Sequence, residues 1–155
     1  NAKDQIIDDI LLEIIAGETT ELYSDLYKKG IINSSFGTES MAGFDYNCVI
    51  FSGESEKPYE VKKALDERIS NLKVNGIDED EFNRAKKAIY GKLVGILCTT
   101  ESVANVIISA YFGGFNAYDL LELVSNATKE QVFKRLTENI DTNRSSISLI
   151  MPLEK

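Results

Sequence analysis

The segment from Gly76 to Leu97 constrains the fold more than any other, because it fixes where a long helix begins and which face must be covered. Asp78 stands at an N-cap position, and Glu81, three residues on, is spaced to reach back to the backbone N–H of the cap. Ile77 before the cap and Phe82 after it have the spacing of a hydrophobic staple, which sets how the chain enters the helix. Glu79 and Asp80 put negative charge at the positive end of the helix dipole, and Arg84, Lys86 and Lys87 follow one or two turns later. Phe82, Ala85, Ile89, Leu93 and Ile96 then recur at helical spacing, a long stripe that a second layer of structure must bury.

Upstream, Lys3 to Ile15 predicts a helix. Ile6, Ile7, Ile10, Leu11, Ile14 and Ile15 form its apolar face, with Asp4, Asp8, Asp9 and Glu13 mostly on the other. Gly17 interrupts it, and a second helix from Thr19 or Thr20 to Lys29 offers Leu22, Tyr23, Leu26 and Tyr27 before a left-handed stop at Gly30. Ile31 to Thr38 is short and strand-like, Glu39 to Gly43 fits a hairpin loop, and Phe44 to Ser52 alternates as a strand. Phe44, Tyr46, Cys48 and Ile50 share one face of that strand, and Asp45, Asn47, Val49 and Phe51 the other. Pro58 suits the first turn of a helix whose core face is Val61, Leu65, Ile69 and Leu72, ended by Asn75-Gly76.

Beyond the central helix, Thr99, Thr100 and Ser102 mark a restart. Val103, Ala104, Ile107, Ile108 and Tyr111 predict a further buried helix, terminated by Gly113-Gly114. Two short helices follow, Ala117 to Val124 and Thr128 to Leu136, the second opened by a Thr128/Gln131 capping box. After a turn at Asp141–Asn143, Ser145 to Met151 alternates as a final strand that Pro152 stops. The order predicts an α+β fold, an antiparallel sheet covered on one face by several helices. Three strands are few for such a sheet, so a further strand is expected upstream in a longer chain.

Histidine is absent from the 155 residues, which removes Ser-His-Asp and Cys-His catalysis and every zinc site built on imidazole. Length fits a single domain over residues 1–155. The net charge of −8, with scattered basic residues, argues against a nucleic-acid partner. There is no apolar run of bilayer length and no signal peptide, and the chain opens almost directly into a helix without an initiator Met, so it reads as a piece of something longer. Cys48 and Cys98 form neither a disulfide framework nor a zinc spacing; both are expected to be buried thiols, and a cytoplasmic location follows as an expectation.

The other chemical candidates have plainer explanations. The acids Asp78 to Glu81 lack the alternation and distant Glu of a calcium loop and are accounted for by the helix start. Gly113-Gly114 lacks the Gly-Lys-Ser/Thr ending of a phosphate loop. Gly91 and Gly95 suggest close helix contact in a core, and Tyr23, Tyr27 and Tyr90 core or rim aromatics. No catalytic, cofactor-binding or metal-ligating residue emerges.

From Gly17 to Ile32 the chain reads Gly-Glu-Thr-Thr-Glu-Leu-Tyr-Ser-Asp-Leu-Tyr-Lys-Lys-Gly-Ile-Ile. This resembles the pattern Gly-x-Ser-Ser-x-Leu-x-x-x-Leu-x-x-x-Gly-Leu of the pitrilysin/insulinase-type zinc metallopeptidases and the related processing peptidases. The resemblance continues through Gly76 to Lys87, Ser102 to Asn116 and Ala127 to Val132, and ends on Leu149-Ile150-Met151-Pro152. In that family repeated α+β units build the peptidase, and one unit carries an inverted His-x-x-Glu-His zinc motif whose Glu is the general base. Lacking histidine, this chain resembles the C-terminal, non-zinc unit. Some members contribute an Arg and a Tyr from this half to the reacting carbonyl; those would fall near Leu26 or Tyr27 and near Asn33 or Ser34, where neither an Arg nor the second Tyr is present.

The resemblance therefore implies a C-terminal domain of a zinc-dependent metallopeptidase that helps to enclose a peptide substrate. It implies no cofactor in this chain, zinc in another domain of the parent, and the zinc-binding half as partner. The alternatives are an inactive processing-peptidase-like scaffold subunit and an unrelated α+β binding module.

Overall fold

The computed structural model describes residues 2–42 and 46–152. The elements run α1 (Ala2–Ala16), α2 (Glu21–Lys28), β1 (Gly37–Ala42), β2 (Asn47–Ser52), α3 (Pro58–Asn75), α4 (Glu79–Ile96), α5 (Thr100–Gly113), α6 (Leu120–Asn126) and α7 (Lys129–Asn139). Short 3-10 turns lie at Ala117–Asp119 and Thr142–Arg144. This is α+β, a helix-rich unit around one antiparallel two-stranded sheet, as the element order predicts.

The whole unit is built around α1. Ile6, Ile7, Ile10, Leu11, Leu12, Ile14 and Ile15 are all buried, and the helix touches β1, α3, α4, α6 and α7. Val61, Leu65, Ile69 and Leu72 of α3, Phe82, Ala85 and Ile89 of α4, Val124 of α6, and Val132 and Leu136 of α7 complete the same core. The helix boundaries follow local chemistry. Asp78 accepts from the backbone N–H of Asp80 and Glu81, Thr20 from that of Tyr23, and Thr128 and Gln131 form their reciprocal box. Gly30 (φ +67°) closes α2 as expected, letting the Ile31 N–H bond back to the Leu26 carbonyl at 2.9 Å; Gly114 (φ +69°) does the same after α5.

In the sheet, Gly37 pairs with Ser52 and Ala42 with Asn47. Val49 and Phe51 pack on the core, so the Asn47/Val49/Phe51 face is inward and Cys48 and Ile50 turn away. Several expectations are corrected here. Glu39 to Ala42 is strand, because it finds a ladder partner in Asn47–Ile50, and does not form the hairpin loop. Ile31 and Ile32 are buried in the turn after α2, and only Gly37 and Thr38 of that segment join β1. β2 begins at Asn47; Gly43, Phe44 and Asp45 lie outside the described residues. Ser145 to Met151 is not a strand. Alternation yields a strand only where the segment pairs with a neighbour, and among the described residues β1 and β2 bond only to each other, with residues 145–151 on neither edge.

The polar and apolar faces also depart from expectation. Asp8 and Glu13 of α1 are buried, drawn in by cations from other helices. The α4 stripe is covered only as far as Leu93, and Ile96 is exposed. α5 leaves α4 at 109° and turns away from the core, so that of its residues only Ala110 is buried. Cys48 and Cys98 are exposed, one on the outer sheet face and the other past the covered part of α4. Gly91 and Gly95 face open space instead of a neighbouring helix. Among the described residues no single helix is long and apolar enough to cross a membrane.

Candidate functional site

Two carboxylates of α1 lie inside the protein. Asp8, 1% exposed, receives both nitrogens of an Arg135 fork, Nε to Oδ1 at 2.6 Å and Nη2 to Oδ2 at 2.8 Å. Asn47 of β2 donates a third bond to Asp8 Oδ2 at 3.1 Å. A bidentate guanidinium is the geometry that best compensates a buried carboxylate, and the Asp8 bonds raise the Arg135 pKa further. One turn on, Glu13 accepts from Lys92 Nζ of α4 at 2.8 Å. Asp9, between them, accepts from Gln5 Nε2 at 3.3 Å, and Gln5 in turn bonds Ser40 of β1. Burial pushes the Asp9 pKa up to about 6 and the charge of Asp8 adds to this, against the Gln5 bond and the charge of Lys92. These groups tie α1 to β1, β2, α4 and α7; each carboxylate is occupied by the fold.

A second polar feature is a cleft of about 700 Å³ between the end of α3, the Gly76–Asp78 turn and the start of α7. Arg68 donates from Nη2 to Glu81 Oε1 at 2.8 Å and to the Ile14 carbonyl at 3.1 Å, while Lys129 and Glu79 pair at 2.6 Å. The Glu81 carboxylate thus turns to Arg68 instead of back to the Asp78 N–H. Asp78, Glu79 and Glu81 are used as a cap and two ion pairs, and the cleft is lined by charges of both signs.

The donors do not fit a zinc ion. Among the described residues no three His, Cys, Asp or Glu side chains converge as ligands, and the buried acids already face Arg135 and Lys92. The positions that the resemblance singled out sit at the end of α2 and in the turn after it. Leu26 is buried, Tyr27 is exposed and stacks on Tyr23 with ring centroids 5.9 Å apart, and Asn33 donates to Glu54 Oε2 at 3.0 Å. Ser34 is exposed. They offer no cation to a carbonyl oxygen.

The family model described as the peptidase M16 inactive domain matches residues 1–89, from α1 through the buried part of α4. The chain belongs to the M16 peptidases. It is 24% identical over 153 residues to the uncharacterized zinc protease YmfH of Bacillus subtilis (strain 168), covering 97% of this chain and 35% of that protein. The crystal structure of an M16-like peptidase from Alicyclobacillus acidocaldarius superposes with a TM-score of 0.81 at 21% identity, over 88% of this chain and 33% of that one. The M16 chain thus spans about a third of the length of these relatives. M16 is the pitrilysin/insulinase-type family, so the resemblance and the α+β fold it implies both hold.

Periodicity missed the Asp8–Arg135–Asn47 cluster. One signal was available: with seven of the ten positions from 6 to 15 apolar, α1 is too apolar to keep all its acids in water. Their partners, far along the chain, carry no local signature.

Proposed function

We propose that this chain is the C-terminal, non-zinc unit of an M16 zinc metallopeptidase and helps to enclose the peptide substrate. One observation carries the reading: a chain matching the inactive-domain model has no imidazole and no alternative convergent donor set among the described residues. In the parent, zinc held by another domain supplies a polarised water for peptide hydrolysis. The residues of this chain contribute a wall. The outward face of the β1–β2 sheet, carrying Glu39, Met41, Cys48 and Ile50, is the face that α1 leaves open, and the sheet edges suit an extended peptide added as a strand. The zinc-binding half of the same peptidase is its partner.

The test is metal analysis and peptide cleavage on the isolated chain and on the intact polypeptide that contains it. The expected result is no stoichiometric zinc and no cleavage by the chain, with one zinc and cleavage by the intact protein. Zinc bound one-to-one by the chain alone, or an intact protein that binds no zinc and cleaves nothing, overturns the proposal.

A further inference from the structure

α5 has the composition of a buried helix and the environment of an exposed one. Apart from Glu101 it carries no charged side chain, and beside Val103, Val106, Ile107, Ile108, Tyr111 and Phe112 only Ser102, Asn105 and Ser109 form a narrow, uncharged polar strip. A helix apolar around most of its circumference is one that neighbours enclose. Here Ile108 is 53% exposed, Tyr111 80% and Phe112 83%, and the apolar strip continues onto Val94 and Ile96 of α4.

Three occupants for this surface can be compared. A bilayer is disfavoured: the 14 residues of α5 fall short of a span, the 109° bend breaks the α4–α5 pair, and α5 has no basic residue to meet anionic headgroups. A second copy is disfavoured as well. Each copy carries −8, and two like-charged copies repel each other. The relatives are about three times as long as the matching region, so most of such a polypeptide lies outside it. We propose that α5 is an insertion helix, enclosed in the intact M16 polypeptide by an apolar groove that the rest of that polypeptide forms. This rests on the reading above only in taking the chain as one unit of a longer M16 protein.

The experiment uses the intact polypeptide. Ile108→Asp is compared with Tyr59→Asp, at an exposed α3 position, by thermal unfolding, and Phe112→Cys is labelled with a maleimide on a background lacking Cys48 and Cys98. Enclosure predicts that Ile108→Asp lowers Tm by more than about 5 °C while Tyr59→Asp leaves it nearly unchanged. It also predicts that the thiol of the Phe112→Cys variant is labelled at least ~100-fold more slowly in the native than in the unfolded protein, at every protein concentration. Rapid native labelling, an Ile108→Asp variant as stable as Tyr59→Asp, or protection that appears only on dimerisation or only with phosphatidylglycerol vesicles overturns the proposal. An inactive protein in which the introduced thiol is protected leaves this inference standing and removes the peptidase reading instead.

Discussion

Asp8 is held by three donors from two distant elements, and its environment sets a prediction about Arg135. Arg135→Ala leaves a buried carboxylate with only Asn47, and the expected loss is about 3 kcal/mol in urea unfolding at pH 7. Arg135→Lys should recover only part, because an ammonium cannot reproduce the fork. Asp9 gives a pH dependence of opposite sense to that of an ordinary ion-paired acid. Its pKa in the folded protein is about 6, against an ordinary 3.8, so between about pH 4 and 6 the folded state binds more protons than the unfolded one. The contribution of Asp9 to stability is therefore largest near pH 4 and declines as pH rises through 6, by at most about 3 kcal/mol. Unfolding curves across this range should show the decline flattened in Asp9→Asn.

At the scale of the element, what chemistry is local was legible. The N-caps at Asp78, Thr99 and Thr128 and the left-handed glycines closing α2 and α5 are set within a few residues of sequence, and the helices begin and end where these predict. Thr128→Ala, which removes the reciprocal box at the start of α7, should cost about 1 kcal/mol of stability in the same unfolding assay, and Thr128→Ser much less. What depends on remote partners was not legible. The alternation of Ser145 to Met151 is a strand pattern without a ladder partner, and the apolar residues of α5 are a core pattern without a core. Cys48 and Cys98 were misplaced for the same reason, since burial belongs to the surrounding layers and not to the residue. The candidate site shows this limit most clearly: the acids of α1 are visible in sequence, but the bond from Arg135 spans 127 residues.

For the molecule as a whole, α1 is the common neighbour of most elements, so a cavity within it should be felt everywhere. Ile10, with no exposed surface, is the sharpest place to make one: Ile10→Ala should cost about 3 to 5 kcal/mol, read as a single cooperative shift in the unfolding midpoint by both circular dichroism and tyrosine fluorescence. The dependence of α1 on late partners also bears on biosynthesis. Asp8 leaves the ribosome 127 residues before Arg135, roughly 6 to 25 s at ordinary translation speeds, and Glu13 waits 79 residues for Lys92. During that interval the acids of an apolar helix are unneutralised. Within this unit, translation thus delivers the acids of α1 well before the cations that neutralise them, and the unit should lean on chaperones more than one whose buried acids are paired within neighbouring helices.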